Sequence, residues 1–441
     1  MINKTIKRTP FLVGFILFLL SAVPLHPAIY KISITGPIES VTEDYVIGAF
    51  NKIKGQADAK LVLIEIDTPG GFSSSMRTIV KEIMASPVPV VGYVSPRGAQ
   101  AASAGFFILI ATDVAAMAPG TNTGAAHPVS ITGGDIENTM KEKVTNDAVS
   151  YIKSIAKARN RNQELSEKAV SESKSYTSEE CLKNNLINVV AEDTEDLLRQ
   201  LEGQKVTMLN GQTVTLELKN EKIVFLEMTT TQKFLKTITN PNLAYFLLIF
   251  GLIGLYIEFT HPGLIVPGIV GGICLLLAFL AFQILPINYI ALLLILLSIG
   301  FFIAEIKIQG FGMLGVGGII SFILGSIMLI KAPIPEMRPA MSIIISIAVA
   351  FATISIFLTY KVIQAMKQKP DTGVESLKNE IGVAKTDIGS AGGKVFVHGE
   401  WWNAVSASGG TIPAGSNVAI VSIEGFELKV KKAPSTTSNG G

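Results

Sequence analysis

Ser103 lies in the tetrapeptide Ala102-Ser103-Ala104-Gly105, where no bulky neighbour shields its hydroxyl. A serine hydroxyl presented in this way can serve as a nucleophile, provided a base takes its proton and donors face the oxyanion that forms. Donors are available nearby. The apolar run Leu61 to Asp67 ends in Thr68-Pro69-Gly70-Gly71. Glycine lets the backbone approach a substrate closely, so the amide of Gly70 or of Gly71 is one candidate donor. If the turn at Ser103 leads into a helix, the amide of Ala104 is the other, because the first amides of a helix lack intrahelical partners. Two side chains are candidate bases. Lysines are ordinarily protonated at neutral pH, so Lys143, with Lys141 beside it, would need desolvation or cationic neighbours to act. Histidine titrates near neutrality unaided, which makes His127, in Gly124-Ala125-Ala126-His127-Pro128, the alternative. A carboxylate such as Asp135, Glu137 or Asp147 would orient it. Spacing alone does not choose between the two bases. The chemistry in either case is acyl transfer. The competing reading of the tetrapeptide is a small-residue helix start with no chemistry at all.

The elements around these residues alternate. Strand-like runs occur at Ala28 to Gly36, Leu61 to Asp67, Val88 to Val94 and Asp113 to Ala118. Helical stretches run from Val41 to Lys54, Ser74 to Ala85, Met140 to Arg159 (carrying Lys143) and from Ser178 to Lys183. Alternating β and α elements predict a layered α/β unit with parallel strands over residues 29–201. Residues 202–238 read as a β-rich linker, with a hairpin around Asn210-Gly211.

The rest of the chain is largely apolar. Of 441 residues, 49% are hydrophobic and only 16% charged, well below the roughly 25% charged of an ordinary soluble protein. The deficit falls in residues 239–364, where segments at about 242–259, 264–285, 287–305, 311–330 and 341–363 each approach the roughly 20 residues a spanning helix needs. An internal repeat runs through them. Glu258, Gly263 and Gly271-Gly272-Ile273 recur as Glu305, Gly310 and Gly317-Gly318-Ile319. Glycines there favour close helix contact, and a glutamate at the end of a span either pairs locally or serves ion transport. Residues 1–28 read as a signal peptide or N-terminal anchor, with Lys4, Lys7 and Arg8 ahead of an apolar run. That places the catalytic unit on the extracytoplasmic side of a multi-pass cell-membrane protein. An odd number of spans returns the C-terminal domain to the cytoplasm.

Residues 371–432 carry short alternating runs separated by glycines, the pattern of a small barrel, and 433–441 form a polar tail expected to be disordered. Trp401 is expected in the barrel core and Trp402 at its surface. The net charge of +2 gives no basic excess for nucleic acid, and lysines and aromatics are too few for a single-strand groove. Cys181 and Cys274 have neither zinc nor disulfide spacing. With no HExxH or P-loop motif, no metal and no cofactor are expected.

Taken together, DTPGG, VPVVGYVSPRGAQAASAG, AMAPGTNTGAAHPV and KVTNDAVSYIKS resemble the long form of the NfeD family, membrane-bound serine proteases. The C-terminal run from Gly382 through Gly399-Glu400-Trp401-Trp402-Asn403-Ala404 to Leu428 resembles the family's OB-fold domain. The resemblance implies a Clp/crotonase-like α/β protease domain, a helical membrane block and a small all-β OB-fold barrel. It implies a Ser–Lys dyad of Ser103 and Lys143, with the amides of Gly71 and Ala104 as oxyanion donors. Gly70 and His127 are then accessory. It further implies a peptide substrate, a stomatin-like membrane protein as partner and substrate, contact with membrane lipid, and a homo-oligomer. Two other readings compete: a scaffold organising stomatin-like assemblies around a vestigial protease fold, and a transporter built on the repeat with Glu258 and Glu305.

Overall fold

The computed structural model describes residues 28–129, 138–308, 312–332, 334–367 and 374–434. The targeting segment, Asp135, Glu137 and all but the first residues of the polar tail lie outside the described residues.

The N-terminal strands are β1 (Ala28–Thr35), β2 (Ala59–Asp67), β3 (Val90–Val94), β4 (Gln100–Ala102), β5 (Val114–Met117), β6 (Asn122–Gly124), β7 (Ser175–Thr177) and β8 (Val189–Val190). Three more follow, β9 (Lys205–Thr207), β10 (Thr213–Thr215) and β11 (Lys222–Phe225). Six of them form one sheet in the order β11-β1-β2-β3-β5-β8, every pairing parallel. A parallel sheet is covered on both faces, so its strands read as continuous apolar runs. Strand β2 illustrates this. Val62, Ile64 and Ile66 enter one hydrophobic core, while Leu61 and Leu63 enter the other. A second sheet, β4-β6-β7, stands beside the first and leads the chain into Ser103.

The 202–238 stretch does more than link. Strands β9 and β10 pair antiparallel as a hairpin, and Val206, Leu216 and Leu218 are buried in the second core. Strand β11 extends the main sheet beside β1. The helix Thr230–Ile238 follows, begun by a reciprocal cap between Thr229 and Gln232. A similar cap between Thr177 and Glu180 starts the helix Ser178–Lys183. That short helix buries Cys181, and burial pushes its thiol up to about 12. The thiolate is the reactive form, so Cys181 is expected to resist iodoacetamide in the folded protein and to alkylate rapidly once unfolded, as peptide mass mapping would report.

Five apolar helices follow among the described residues: Pro241–Thr260, Val266–Phe282, Tyr289–Ile308, Met313–Met328 and Met341–Lys367. By length and composition, Pro241–Thr260 and Pro335–Phe357 are long and apolar enough to cross a membrane, and the other three are shorter apolar helices. Their outward faces carry Phe250, Leu276, Ile356 and other large apolar side chains in the open, as suits a lipid-facing surface. The repeat glycines differ in use. A Cβ on Gly271 would come within 2.9 Å of Gly251 O, whereas one on Gly272 would meet open space. Glu305 pairs locally, accepting the Gly312 amide at 2.6 Å, and the Glu258 side chain lies against Gly268.

The C-terminal domain is a closed barrel of β12 (Ile381–Ala384), β13 (Gly393–Val397), β14 (Glu400–Ser406), β15 (Asn417–Glu424) and β16 (Glu427–Lys432), closed in the order β12-β13-β14-β16-β15. This is an OB-like five-stranded barrel. The two tryptophans exchange their expected places. Trp402 packs against the barrel core, whereas Trp401 is 62% exposed and meets Phe396 edge-on at 5.8 Å.

Candidate active site

Ser103 is the hinge between β4 and the helix Ala104–Ala111. Its backbone has φ 53° and ψ −115°, a conformation that costs a non-glycine residue about 1–3 kcal/mol. The surroundings enforce it. The Ser103 amide donates to Gly124 O at 2.8 Å, and the Phe106 amide returns to Ser103 O at 3.1 Å. The helix that follows, AGFFILIA, is buried along its whole length, so it cannot rotate to relieve the turn. A strained strand-to-helix turn that thrusts a serine out of the core is the geometry of a nucleophile elbow.

The glycine pair reaches Ser103 through Thr68, which pairs with Ala101 as an isolated parallel bridge. The Thr68 amide donates to Gln100 O at 2.7 Å and the Ala102 amide to Thr68 O at 3.0 Å. This brings Gly70 flush against the nucleophile: a Cβ on Gly70 would lie 2.5 Å from Ser103 Cβ and 3.0 Å from its Oγ. Gly70 holds φ +114°, open to glycine at little cost. The two candidate donors then separate. The Gly70 amide donates to Thr68 Oγ1 at 3.1 Å. Gly71 is bridged to Ile38, but that bridge uses Gly70 O and the Phe72 amide, so neither of its two hydrogen bonds takes the Gly71 amide. At Ala104 the amide opens the buried helix, where the helix dipole also favours negative charge.

The bases are placed differently. Lys143 is exposed on the helix Asn138–Ala158. It shares a stripe with Asp147, one turn on, and Asp147 pairs with Arg77. Arg77 also stacks over the Tyr151 ring, 4.3 Å from its centroid, and Tyr151 stacks on Phe107 at 5.9 Å. Burial raises the Tyr151 hydroxyl above its ordinary range, and Arg77 opposes the shift. This chain of contacts ties the lysine helix both to the helix that follows the glycine pair and to the helix that follows Ser103. His127 is half-buried, and its Nδ1 lies 2.9 Å from Val170 O. A carbonyl only accepts, so Nδ1 carries a proton. The orienting group is therefore a backbone carbonyl. Asp147, the one expected carboxylate among the described residues, is engaged by Arg77. Among the described residues no hydrogen bond joins Ser103 Oγ to Lys143 or to His127. No group of three or more His, Cys, Asp or Glu residues that could hold a metal ion occurs among the described residues.

Comparison with known proteins covers the same regions. Residues 28–223 match the NfeD1b N-terminal domain, 242–361 the NfeD integral membrane domain, and 374–432 the NfeD-like C-terminal, partner-binding domain. The chain is 37% identical to the membrane-bound protease PH1510 of Pyrococcus horikoshii over 94% of its own length and 96% of the relative's. It is 26% identical to the membrane protein NfeD1b of Bacillus subtilis, over 96% and 97% of the two chains. Among solved structures, a Pyrococcus horikoshii membrane protease specific for a stomatin homologue aligns with TM-score 0.42 and 36% identity, covering 48% of this chain and 98% of that one. A lysine-to-alanine variant of a membrane-bound stomatin-specific protease, in complex with a substrate peptide, aligns with TM-score 0.45, 36% identity and the same coverage.

Proposed function

The chain belongs to the NfeD family, and from that membership we propose that it is a membrane-anchored serine endopeptidase acting through Ser103 and Lys143. The observation that carries this reading is the strained backbone of Ser103 at a strand-to-helix turn, flush against Gly70. Ser103 Oγ attacks the scissile carbonyl while Lys143 takes its proton. Negative charge gathers on the carbonyl oxygen, which the amides of Gly71 and Ala104 receive. Gly70 contributes close approach, since its own amide is spent on Thr68. As the tetrahedral species collapses, Lys143 returns the proton to the departing amine and an acyl-serine remains. Water then attacks that ester with Lys143 again as base, releasing the acid and restoring the serine. A base catalysing both halves is worth about 10²–10⁴ in rate, and an oxyanion donor contributes about 10²–10³.

The substrate proposed is an apolar segment of a stomatin-like membrane protein, in keeping with the stomatin specificity named for the two solved proteases. The C-terminal barrel is the partner-binding module, with exposed Trp401 as a candidate contact. The helical block crosses the membrane several times in contact with lipid, the catalytic unit lies outside the cytoplasm and the barrel inside. The protein works as a homo-oligomer. A direct test is to reconstitute the full chain in liposomes with a purified stomatin homologue and follow cleavage by mass spectrometry. Cleavage by the wild type and none by Ser103→Ala is expected. Equal cleavage by both would overturn the proposal. Stable association without cleavage by either would favour the scaffold.

A further inference from the structure

The loop carrying the Gly71 amide is held from the membrane side. Phe72 follows Gly71 directly and packs, half-buried, on the apolar cluster built by the membrane helices, which includes Tyr245 and Leu248. From the other direction Ile38 pinches the same loop. Its amide donates to Gly70 O at 2.8 Å, and its carbonyl accepts the Phe72 amide at 2.8 Å. The next residue, Glu39, is buried and hydrogen-bonded to Thr239 at 3.2 Å. Thr239 is itself buried, at the junction between the helix Thr230–Ile238 and the first membrane helix, Pro241–Thr260. Lys236, on the first of these, donates to Thr35 O at 2.8 Å. Burial raises the Glu39 carboxyl above its ordinary range, against the opposing Thr239 bond and Lys236. The segment from Thr35 to Glu39 is thus fastened to the start of the membrane block, and the glycine loop is fastened both to that segment and to the helices themselves.

We propose that Phe72 and Glu39 are positioning residues through which the membrane block holds the Gly70-Gly71 loop against Ser103, so that the nucleophile is fully competent only with the first membrane helix seated. This rests on the hydrolase reading above. A glycine pair has the greatest backbone freedom of any dipeptide, and without an outside anchor the Gly71 amide would wander. A displacement of about 1 Å in a catalytic group can cost about 10²-fold in rate. Removing the anchor therefore slows acylation without removing any group that touches the substrate.

The test uses the full chain in lipid nanodiscs and a fluorophosphonate probe, reading separately the rate constant of Ser103 labelling and the final fraction labelled. Misfolding lowers the fraction, whereas a misplaced loop lowers the rate constant. Phe72→Ala is expected to slow labelling by about tenfold to a hundredfold, and Phe72→Leu, which keeps the apolar anchor, to stay within about threefold of wild type. Thr239→Val, which deletes the hydroxyl facing Glu39, should slow labelling in the same sense, and Glu39→Gln, which keeps an acceptor, should not. Ser326→Ala deletes the same bundle's hydrogen bond from Tyr245 without altering the apolar cluster under Phe72 and should leave the rate constant unchanged. If Phe72→Ala fails to fold, Thr239→Val decides. Wild-type rate constants in Phe72→Ala and Thr239→Val, with wild type labelled at Ser103, would overturn the positioning role and leave the hydrolase intact. Absence of labelling in wild type would overturn both.

Discussion

Lys143→Ala is expected to lower turnover by about 10⁴–10⁶-fold, the scale on which loss of one member of a catalytic unit falls, while His127→Ala lowers it about tenfold or less. Lys143 stands on the same helical stripe as Asp147, and Asp147 is clamped by Arg77, which is itself stacked on Tyr151. The lysine helix is therefore fixed one turn beyond Lys143. Lys143 is exposed in the free protein, and catalytic hydrogen bonds are commonly longer before substrate arrives than in the working complex. Substrate bound over Lys143 would supply the desolvation a lysine base needs. His127 is held by Val170 O. The measurement is kcat for a fluorogenic peptide, checked for both variants by thermal unfolding. Near-wild-type turnover in Lys143→Ala together with collapse in His127→Ala would reassign the base to the histidine.

Gly71→Ala should be damaging too, for a different reason. A Cβ there would lie 2.0 Å from Ile38 O and 2.6 Å from the Ile38 amide nitrogen. These are backbone atoms that no rotamer change can move, and they hold the two hydrogen bonds pinching the loop. The loop must swing away, taking the Gly71 amide with it. Loss of one oxyanion donor costs about 10²–10³ in kcat, and the overpacking adds about 1–3 kcal/mol of destabilisation. Turnover and the midpoint of thermal unfolding should fall together. Gly70→Ala gives a useful contrast. Its Cβ would meet Ser103 Cβ at 2.5 Å, so it displaces the nucleophile and should abolish labelling of Ser103 by small electrophiles as well as peptide turnover.

The pairing of Ser103 with the glycine loop was legible in the sequence because a buried apolar run ends in the glycine pair and the small-residue turn at Ser103 opens another; what joins them, the bridge between Thr68 and Ala101 across two different sheets, was not. The apolar segments and the glycine-punctuated alternation already marked the membrane block and the barrel, and the structure contains five apolar helices among the described residues and a closed five-stranded barrel. The choice between the Gly70 and Gly71 amides was not legible, since it depends on the Thr68 hydroxyl turning back to bond Gly70. Nor was the anchoring of Phe72, whose apolar partners lie far along the chain. Strand β11 was hidden for a similar reason: its sheet partner is β1, at the other end of the domain. The tryptophans were assigned to the wrong faces because two adjacent aromatics give a strand no visible phase, and a slip of one residue exchanges core and surface. The orienting partner of His127 was sought among carboxylates, although a backbone carbonyl does the same work and leaves no mark in the sequence.

The most direct measurement is the mass of the full chain after exposure to a fluorophosphonate, with the adduct located by peptide sequencing. A Ser–Lys endopeptidase predicts one stoichiometric adduct on Ser103, absent in Ser103→Ala and strongly slowed in Lys143→Ala. A folded wild-type protein that takes up no adduct at Ser103, or a Ser103→Ala variant that labels equally, would contradict it.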